Sequence, residues 1–277
     1  MKKSIGLLAF LIWFVCQTSA QEIKLITYNI RYNNPADGVN AWPLRKEKFG
    51  ILLNQYNSNI WCFQEVLHNQ LVDLKAMLPE FGYVGVGRDD GKEAGEYSPI
   101  FYKNSLYQLV SSGTFWLSPT PNVAASKGWD AAITRICSWA QFEDKITNKV
   151  FFVFNTHFDH IGKKARKESA KLILAKMNEV ANNKPIVLAG DFNSEPCSKA
   201  YKTIAKNKII PFTDSYKKQK DKCTFTGFKV NGGICKRIDF IFLNNYFEKI
   251  NYQIITDNNG TYYPSDHLPV LTLLKFK

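Results

Sequence analysis

Pro185-Ile-Val-Leu-Ala-Gly-Asp-Phe-Asn-Ser194 decides the reading of this chain. Its apolar run is too short for a helix, is flanked by Pro185 and Gly190, and reads as a buried strand. It halts at Asp191, with Asn193 two residues on. In an extended backbone residues i and i+2 point the same way, so a carboxylate and an amide oxygen are expected to face one point at the strand's end. Hard cations favour that oxygen-rich arrangement. Gly190-Asp-Phe-Asn193 also fits an Asx-type turn that does nothing but close the strand.

Other apolar strands behave alike. One ends in Asn29, one in Glu65 and one in His157, while Asp239 and the pair Asp266-His267 begin two more. Strand ends and strand starts can share a rim only if the two groups run antiparallel. Two such sheets, face to face with helices outside, would gather all seven groups at one edge. Carboxylates crowded in this way repel, and burial penalises each of them, unless a cation neutralises the set. Oxygen donors point to Mg²⁺, Mn²⁺ or Ca²⁺ rather than zinc. A histidine held by a carboxylate can deprotonate an attacking water.

The first twenty residues stand apart. Lys2 and Lys3 precede the apolar run Ile5–Val15, and small residues follow up to Ala20. That pattern predicts a signal peptide removed before Gln21 and an exported protein, periplasmic or secreted. The run is too short to span a bilayer. Cys16 offers a lipoprotein anchor as an alternative, which the bulky Trp13-Phe-Val15 disfavours. No linker rich in Pro, Gly or Ser interrupts residues 21–277, so one domain is expected.

Without Lys2 and Lys3 the chain carries 34 basic against 24 acidic residues, a formal charge of +10. The surplus favours an anionic partner such as nucleic acid, phospholipid or a phosphorylated small molecule. Lys163-Lys-Ala-Arg-Lys167 and Lys217-Lys-Gln-Lys220 read as solvated faces. Cys62 and Cys137 lie in apolar strands and read as buried small hydrophobes. Cys223 and Cys235 bracket a predicted hairpin and admit a disulfide in an oxidising compartment. No cysteine spacing matches a zinc site.

Six motifs occur in order: Thr27-Tyr-Asn-Ile-Arg31, Gln64-Glu65, Asn155-Thr-His-Phe-Asp159, Gly190-Asp-Phe-Asn-Ser194, Arg237-Ile-Asp-Phe240 and Ser265-Asp-His-Leu-Pro-Val270. Together they resemble the endonuclease/exonuclease/phosphatase superfamily along essentially the whole mature chain. The resemblance implies a four-layer α/β/β/α sandwich, with two mixed, largely antiparallel sheets flanked by helices, and metal-dependent cleavage of phosphate esters. Glu65 would be the principal ligand for Mg²⁺ or Mn²⁺, with Asn29 and Asp266 beside it. His267 would be the base, oriented by Asp239. Asp191 and Asn193 would position water or stabilise the transition state, and His157 would contact the scissile phosphate. Arg31 resembles the arginine that touches substrate phosphate in the deoxyribonuclease branch. Arg135, at the start of a strand, can clamp an anion.

Gly95-Glu-Tyr-Ser-Pro-Ile-Phe-Tyr102, Gly128-Trp-Asp-Ala-Ala132 and Tyr263-Pro-Ser-Asp-His267 are similar to an exported bacterial branch of undefined substrate. Arg31 stands where the abasic-site repair enzymes carry an aspartate, which argues against DNA repair. The substrates left open are nucleic acid, a phospholipid (phospholipase C or sphingomyelinase-like cleavage) and a sugar or inositol phosphate. A non-catalytic anion-binding protein on the same scaffold is the alternative from another class. A monomer is expected.

Overall fold

The computed structural model describes residues 21–216, 223–258 and 260–277. The expected leader with its Cys16, and the basic run starting at Lys217, lie outside the described residues. The first half of the chain forms β1 (Ile23–Asn29), α1 (Trp42–Tyr56), β2 (Ile60–Gln64), α2 (His68–Met77), β3 (Phe81–Val84), β4 (Ile100–Lys103) and β5 (Tyr107–Trp116). Then follow β6 (Ile136–Asp144), β7 (Val150–His157), α3 (Lys163–Ala181), β8 (Ile186–Asp191), α4 (Lys199–Ala205), β9 (Phe212–Asp214), β10 (Asp239–Asn244), β11 (Phe247–Ile254) and β12 (Val270–Phe276).

These strands build two six-stranded sheets, in the orders β11-β12-β1-β2-β4-β3 and β5-β6-β7-β8-β10-β9. Ile23, Leu25, Ile60 and Cys62 of the first sheet pack between the layers on Val153, Val187, Ala189 and Ile241 of the second. The outer face of the first sheet (Ile26, Tyr28, Trp61, Phe63) meets α1 and α2 through Phe49, Leu52 and Leu74. Phe154, Leu188 and Phe242 of the second sheet meet α3 and α4 through Ile173, Met177 and Ile204. Strands covered on both faces need apolar side chains in both directions, which is why they read as unbroken runs rather than alternating ones. The four-layer α/β/β/α sandwich expected from the sequence is the one formed.

Each sheet has the same local plan. β1 and β2 run parallel with β12 antiparallel to β1; β7 and β8 run parallel with β10 antiparallel to β8. The ends of β1, β2, β7 and β8 therefore lie beside the starts of β10 and β12. Buried Gln64 and Asn155 join the layers below this edge: Gln64 Nε2 donates to Asn155 Oδ1 at 2.7 Å, and Asn155 Nδ2 donates to the carbonyls of Phe63 and Pro99. Gly190 is required where it stands. Its φ is +145°, and a Cβ there would meet the Thr156 carbonyl oxygen on β7 at 2.0 Å, so any side chain would push apart the two strands that deliver His157 and Asp191.

Several boundaries differ from the sequence reading. α1 starts at Trp42 rather than near Arg45, because Pro43 sits in the first turn, where its missing N–H costs nothing. β12 starts at Val270 rather than Leu268, since Pro269 has no N–H for the ladder. β9 and the 3₁₀ segment Pro35–Asn40 were not foreseen. The Cys223–Cys235 stretch is not a regular hairpin: Phe225 makes single bridges to Lys236 and to His267, and the disulfide is formed.

Arg45 ties the loops behind the rim together. Its guanidinium, buried to 4% exposure, donates to the carbonyls of Ile30, Arg31, Asn40 and Pro264. Burial pulls it down to about 10, so it stays charged at neutral pH. Arg45→Ala strands four carbonyls and is expected to cost about 3 kcal/mol of stability, read as a lowered urea midpoint at unchanged slope.

Candidate active site

The seven polar groups do meet at one edge, and the link between sheets is direct. Asn29, at the end of β1, donates from Nδ2 to Glu65 Oε1 and to Asp191 Oδ2, each at 3.0 Å. Its Oδ1 accepts the Arg31 N–H at 3.0 Å. In this arrangement Asn29 aligns two carboxylates rather than offering them an oxygen. Glu65 follows β2 with φ +59°, a left-handed backbone that is strained for a side chain of this size. That turn releases Glu65 from strand alternation, and its Oε2 accepts the Tyr32 N–H at 3.1 Å.

The dyad lies across from it. His267 Nδ1 is 2.9 Å from Asp239 Oδ2, and His267 Nε2 is 3.7 Å from Asp191 Oδ2. With Nδ1–H donated to Asp239, Nε2 is the nitrogen that faces the cavity and that carries the lone pair once the ring is neutral. Burial pulls His267 down, but Asp239 and Asp191, with the Asp239 hydrogen bond, outweigh it and raise the imidazole to about 10. Asp191, through burial and the neighbouring Asp239, is pushed up to about 7. Burial likewise raises Asp266, with Glu65 adding to it.

His157 is the opposite case. Burial, with Arg135 and Arg88 close by, holds it well below the usual histidine range, so it is neutral. Asn193 Nδ2 donates to His157 Nε2 at 3.0 Å, which leaves the proton on Nδ1, facing Glu96 Oε2 at 3.7 Å. Asn193 itself has φ +44°, and its N–H donates to Asp191 Oδ1 at 2.8 Å. The expected i, i+2 alternation is therefore not what pairs Asp191 with Asn193. An Asx-type turn does it, and it brings both side chains to the rim as well as closing the strand.

Arg31 lines the same cavity, but its Nε and Nη2 pair with Asp37, each at 2.9 Å. Nη1 lies 3.9 Å from Glu65, and Nε lies 4.0 Å from Asp266. Arg135 precedes β6 at 5% exposure; Nη2 meets His160 Nδ1 at 3.2 Å, while Nε and Nη1 have no hydrogen-bond partner among the described residues. The cavity enclosed by these groups measures about 800 Å³.

The donor set suits a hard divalent cation. Four carboxylates converge, two of them raised by burial and by a neighbouring carboxylate (Asp191 by Asp239, Asp266 by Glu65), and buried Asp239 Oδ1 has no hydrogen-bond partner among the described residues. Asp191, Asp239 and His267 place ligand atoms within 4.8 Å of one another. Since His267 and Asp239 already bond each other, Glu65 and Asp266 are the carboxylates freer to take an ion.

A family model described as Endonuclease/Exonuclease/phosphatase family matches residues 26–267. The chain belongs to the endonuclease/exonuclease/phosphatase family. It is 40% identical to a family member from Bacteroides vulgatus, with a TM-score of 0.87 covering 93% of this chain and 100% of that one. A mannosyl-6-phosphatase from Bacteroides thetaiotaomicron is 39% identical, with a TM-score of 0.86 covering 92% and 100%. An uncharacterized protein of Acanthamoeba polyphaga mimivirus is 27% identical over 274 residues, 91% of this chain and 100% of that one. The family is one of phosphoester hydrolases.

Within this family site, four residues outside the expected set of catalytic and binding groups support it, and two of them, Arg88 and Asp37, had no sequence signal. Glu96 accepts from Arg88 Nη1 at 2.6 Å and, with Arg135, forms the wall behind His157. Asp37 holds Arg31. Asp159, inside a motif, is structural: despite burial, the N–H groups of Gly162, Ala132 and Ile161 keep its carboxyl below the usual range, and it fixes the loop beside Arg135. Glu96 and Asp159 lie inside quoted motifs, whereas Arg88 and Asp37 lie in loops without periodicity.

The raised groups carry a pH signature. A group with a folded-state pKa above its unfolded value stabilises at low pH, and that stability is lost as pH rises through the folded value. For Asp191 the loss runs from 3.8 to about 7, and for His267 from 6.5 to about 10. Metal-free protein is therefore expected to lose Tm steadily between pH 5 and 9, and saturating Mg²⁺ to flatten the slope. Scanning calorimetry with and without chelator checks it.

Proposed function

We propose that this chain is an exported, Mg²⁺- or Mn²⁺-dependent phosphoesterase acting on a phosphorylated sugar. The observation that carries the reading is His267, held by Asp239 from behind and facing Glu65, Asp191 and Asp266 within one cavity bordered by Arg135. The likeness to a sugar phosphatase at 39% identity supports the substrate class. Glu65 and Asp266 would hold the ion, Asn29 aligning Glu65; when bound, it polarises the phosphoryl oxygens and eases departure of the alkoxide. His267 Nε2 takes the proton of the attacking water while Asp239 fixes the ring. Asp191 and Asn193 position that water, and His157, Arg135 and the remaining guanidinium N–H groups of Arg31 bind the phosphoryl oxygens. A single chain supplies every one of these groups, in keeping with a monomer.

A cation would also set the base. Against the pull of burial, His267 is held at about 10 by Asp239, Asp191 and Asp266, and an ion held by Glu65 and Asp266 would offset part of that field, so that the imidazole could give up its proton nearer neutral pH.

Export rests on residues 1–20 and is supported by the Cys223–Cys235 disulfide, which persists in oxidising compartments. Among the described residues no helix is long and apolar enough to cross a membrane. A second cavity of about 540 Å³ adjoins the first and is lined by Lys163, Arg166, Lys199 and Lys236; this favours a polyanion, such as a nucleic acid strand, as the competing substrate. The test is a screen of mannose 6-phosphate, other sugar and inositol phosphates, single-stranded DNA and phosphatidylcholine vesicles with added Mg²⁺ or Mn²⁺. Release of phosphate from sugar esters supports the proposal. Cleavage confined to DNA, falling steeply with salt, replaces its substrate; binding without turnover of anything ends it.

A further inference from the structure

The catalytic pair assigned above draws its members from different sheets: Asp239 opens β10, and His267 lies just before β12. A short segment, Cys223–Gly227, runs between these two strand starts and is bonded to both. On one side Thr224 N and Phe225 N donate to the Lys236 carbonyl at 2.8 and 2.9 Å, and Lys236 N donates back to Phe225 O at 3.2 Å. On the other, Leu268 N donates to Thr224 O at 2.6 Å, while Thr226 N and Gly227 N donate to Asp266 O at 2.8 and 3.1 Å. The Phe225 ring lies 4.9 Å from the His267 ring, centroid to centroid.

Thr224 is the centre of this bridge. It is wholly buried, and its Oγ1 accepts the N–H of Ile238 at 2.9 Å and of Asp239 at 3.1 Å. One of these N–H groups stands just before β10 and the other on its first residue, and Thr224 Oγ1 gives both a buried acceptor. The disulfide between Cys223 and Cys235 clamps the two arms beside Thr224 and Lys236. Sheets that pack face to face exchange no backbone hydrogen bonds, so the relative placement of two strand starts in different sheets depends on such a link.

We propose that Thr224 is a positioning residue for the Asp239–His267 pair, kept in register by the Cys223–Cys235 crosslink. Its hydroxyl fixes the backbone of Asp239, and its carbonyl fixes that of Leu268, next to His267. Turnover thereby depends on a side chain that touches neither the substrate nor the imidazole. The inference rests on the phosphoesterase reading, with His267 as base. A plain core-filling role for Thr224 would affect stability and leave turnover alone.

The test compares Thr224→Val, which keeps the shape and removes the acceptor, with Thr224→Ser, which keeps the acceptor. With 4-nitrophenyl phosphate and Mg²⁺, Thr224→Val is expected to lose roughly 10- to 100-fold in kcat, the scale of a small misplacement of a reacting group, with KM within about twofold. Thr224→Ser should keep most of kcat, and Cys223→Ser/Cys235→Ser should lose several-fold with an unchanged circular dichroism spectrum. Proton NMR gives a readout that needs no substrate: the downfield His267 Nδ1–H signal of the native protein should shift or vanish in Thr224→Val and persist in Thr224→Ser. Thr224→Val with native kcat and an unmoved signal overturns the proposal, as does equal impairment of the Val and Ser variants. If Thr224→Val fails to fold, native kcat and signal in the double serine variant overturn the part assigned to the crosslink, and their loss supports it. A native protein inert toward every phosphoester sinks the phosphoesterase reading instead, while the imidazole signal still decides whether Thr224 positions the pair.

Discussion

His267→Ala is expected to lower kcat by about a thousandfold, within the range that a positioned general base contributes, while KM changes little. The reason is geometric: Nε2 is the cavity-facing atom of an imidazole whose other nitrogen is spent on Asp239 at 2.9 Å. In the native enzyme kcat/KM should rise with pH as His267 gives up its proton, and added Mg²⁺ should move that rise to lower pH. His267→Ala should abolish the rising limb. Removing the imidazole leaves Asp239 and Asp191 without their cation when it is protonated, so the variant is best measured with saturating Mg²⁺. Activity within tenfold of native would mean that another group takes the proton.

Removal of divalent cations should be as severe. Chelation is expected to cut activity by more than about a hundredfold, and Mg²⁺ or Mn²⁺ should restore it. The carboxylates that crowd the rim repel one another without an ion, so binding should also stabilise the fold, by about 2.7 kcal/mol at a hundredfold excess over Kd. Glu65→Gln should raise the cation concentration needed for half-maximal activity and reduce the thermal shift, because Glu65 is a rim carboxylate not paired to the base. Unchanged turnover in chelator would dismiss the cation from the mechanism.

Much of this was legible in the sequence because the strands stop at polar residues. An apolar run that halts at Asn29, His157 or Asp191 states where a buried strand meets the rim, and a run that begins at Asp239 states that its direction is reversed. What escaped notice has a common cause. Glu65 reaches the cavity through a left-handed backbone that nothing in Gln64-Glu65-Val66 signals, and Asn193 through a turn rather than through strand alternation. Arg88 and Asp37 sit in loops, where side-chain direction is set by distant contacts. Thr224 resembles any other threonine until Asp239 is seen to donate to it.

The pairing of β1 with β12, Ile23 opposite Leu274, has a further consequence. β5 to β10 are consecutive in the chain and complete the second sheet by themselves, whereas the first needs its opening and closing strands side by side. Until β12 is in place the β1 edge of that sheet stays unpaired, and the residues that lead into β12 are the ones that deliver Asp266 and His267. Closure of that edge and arrival of the imidazole at the rim are thus one event, so a folding intermediate with β1 uncovered would hold the carboxylates of Glu65 and Asp191 without His267 beside them.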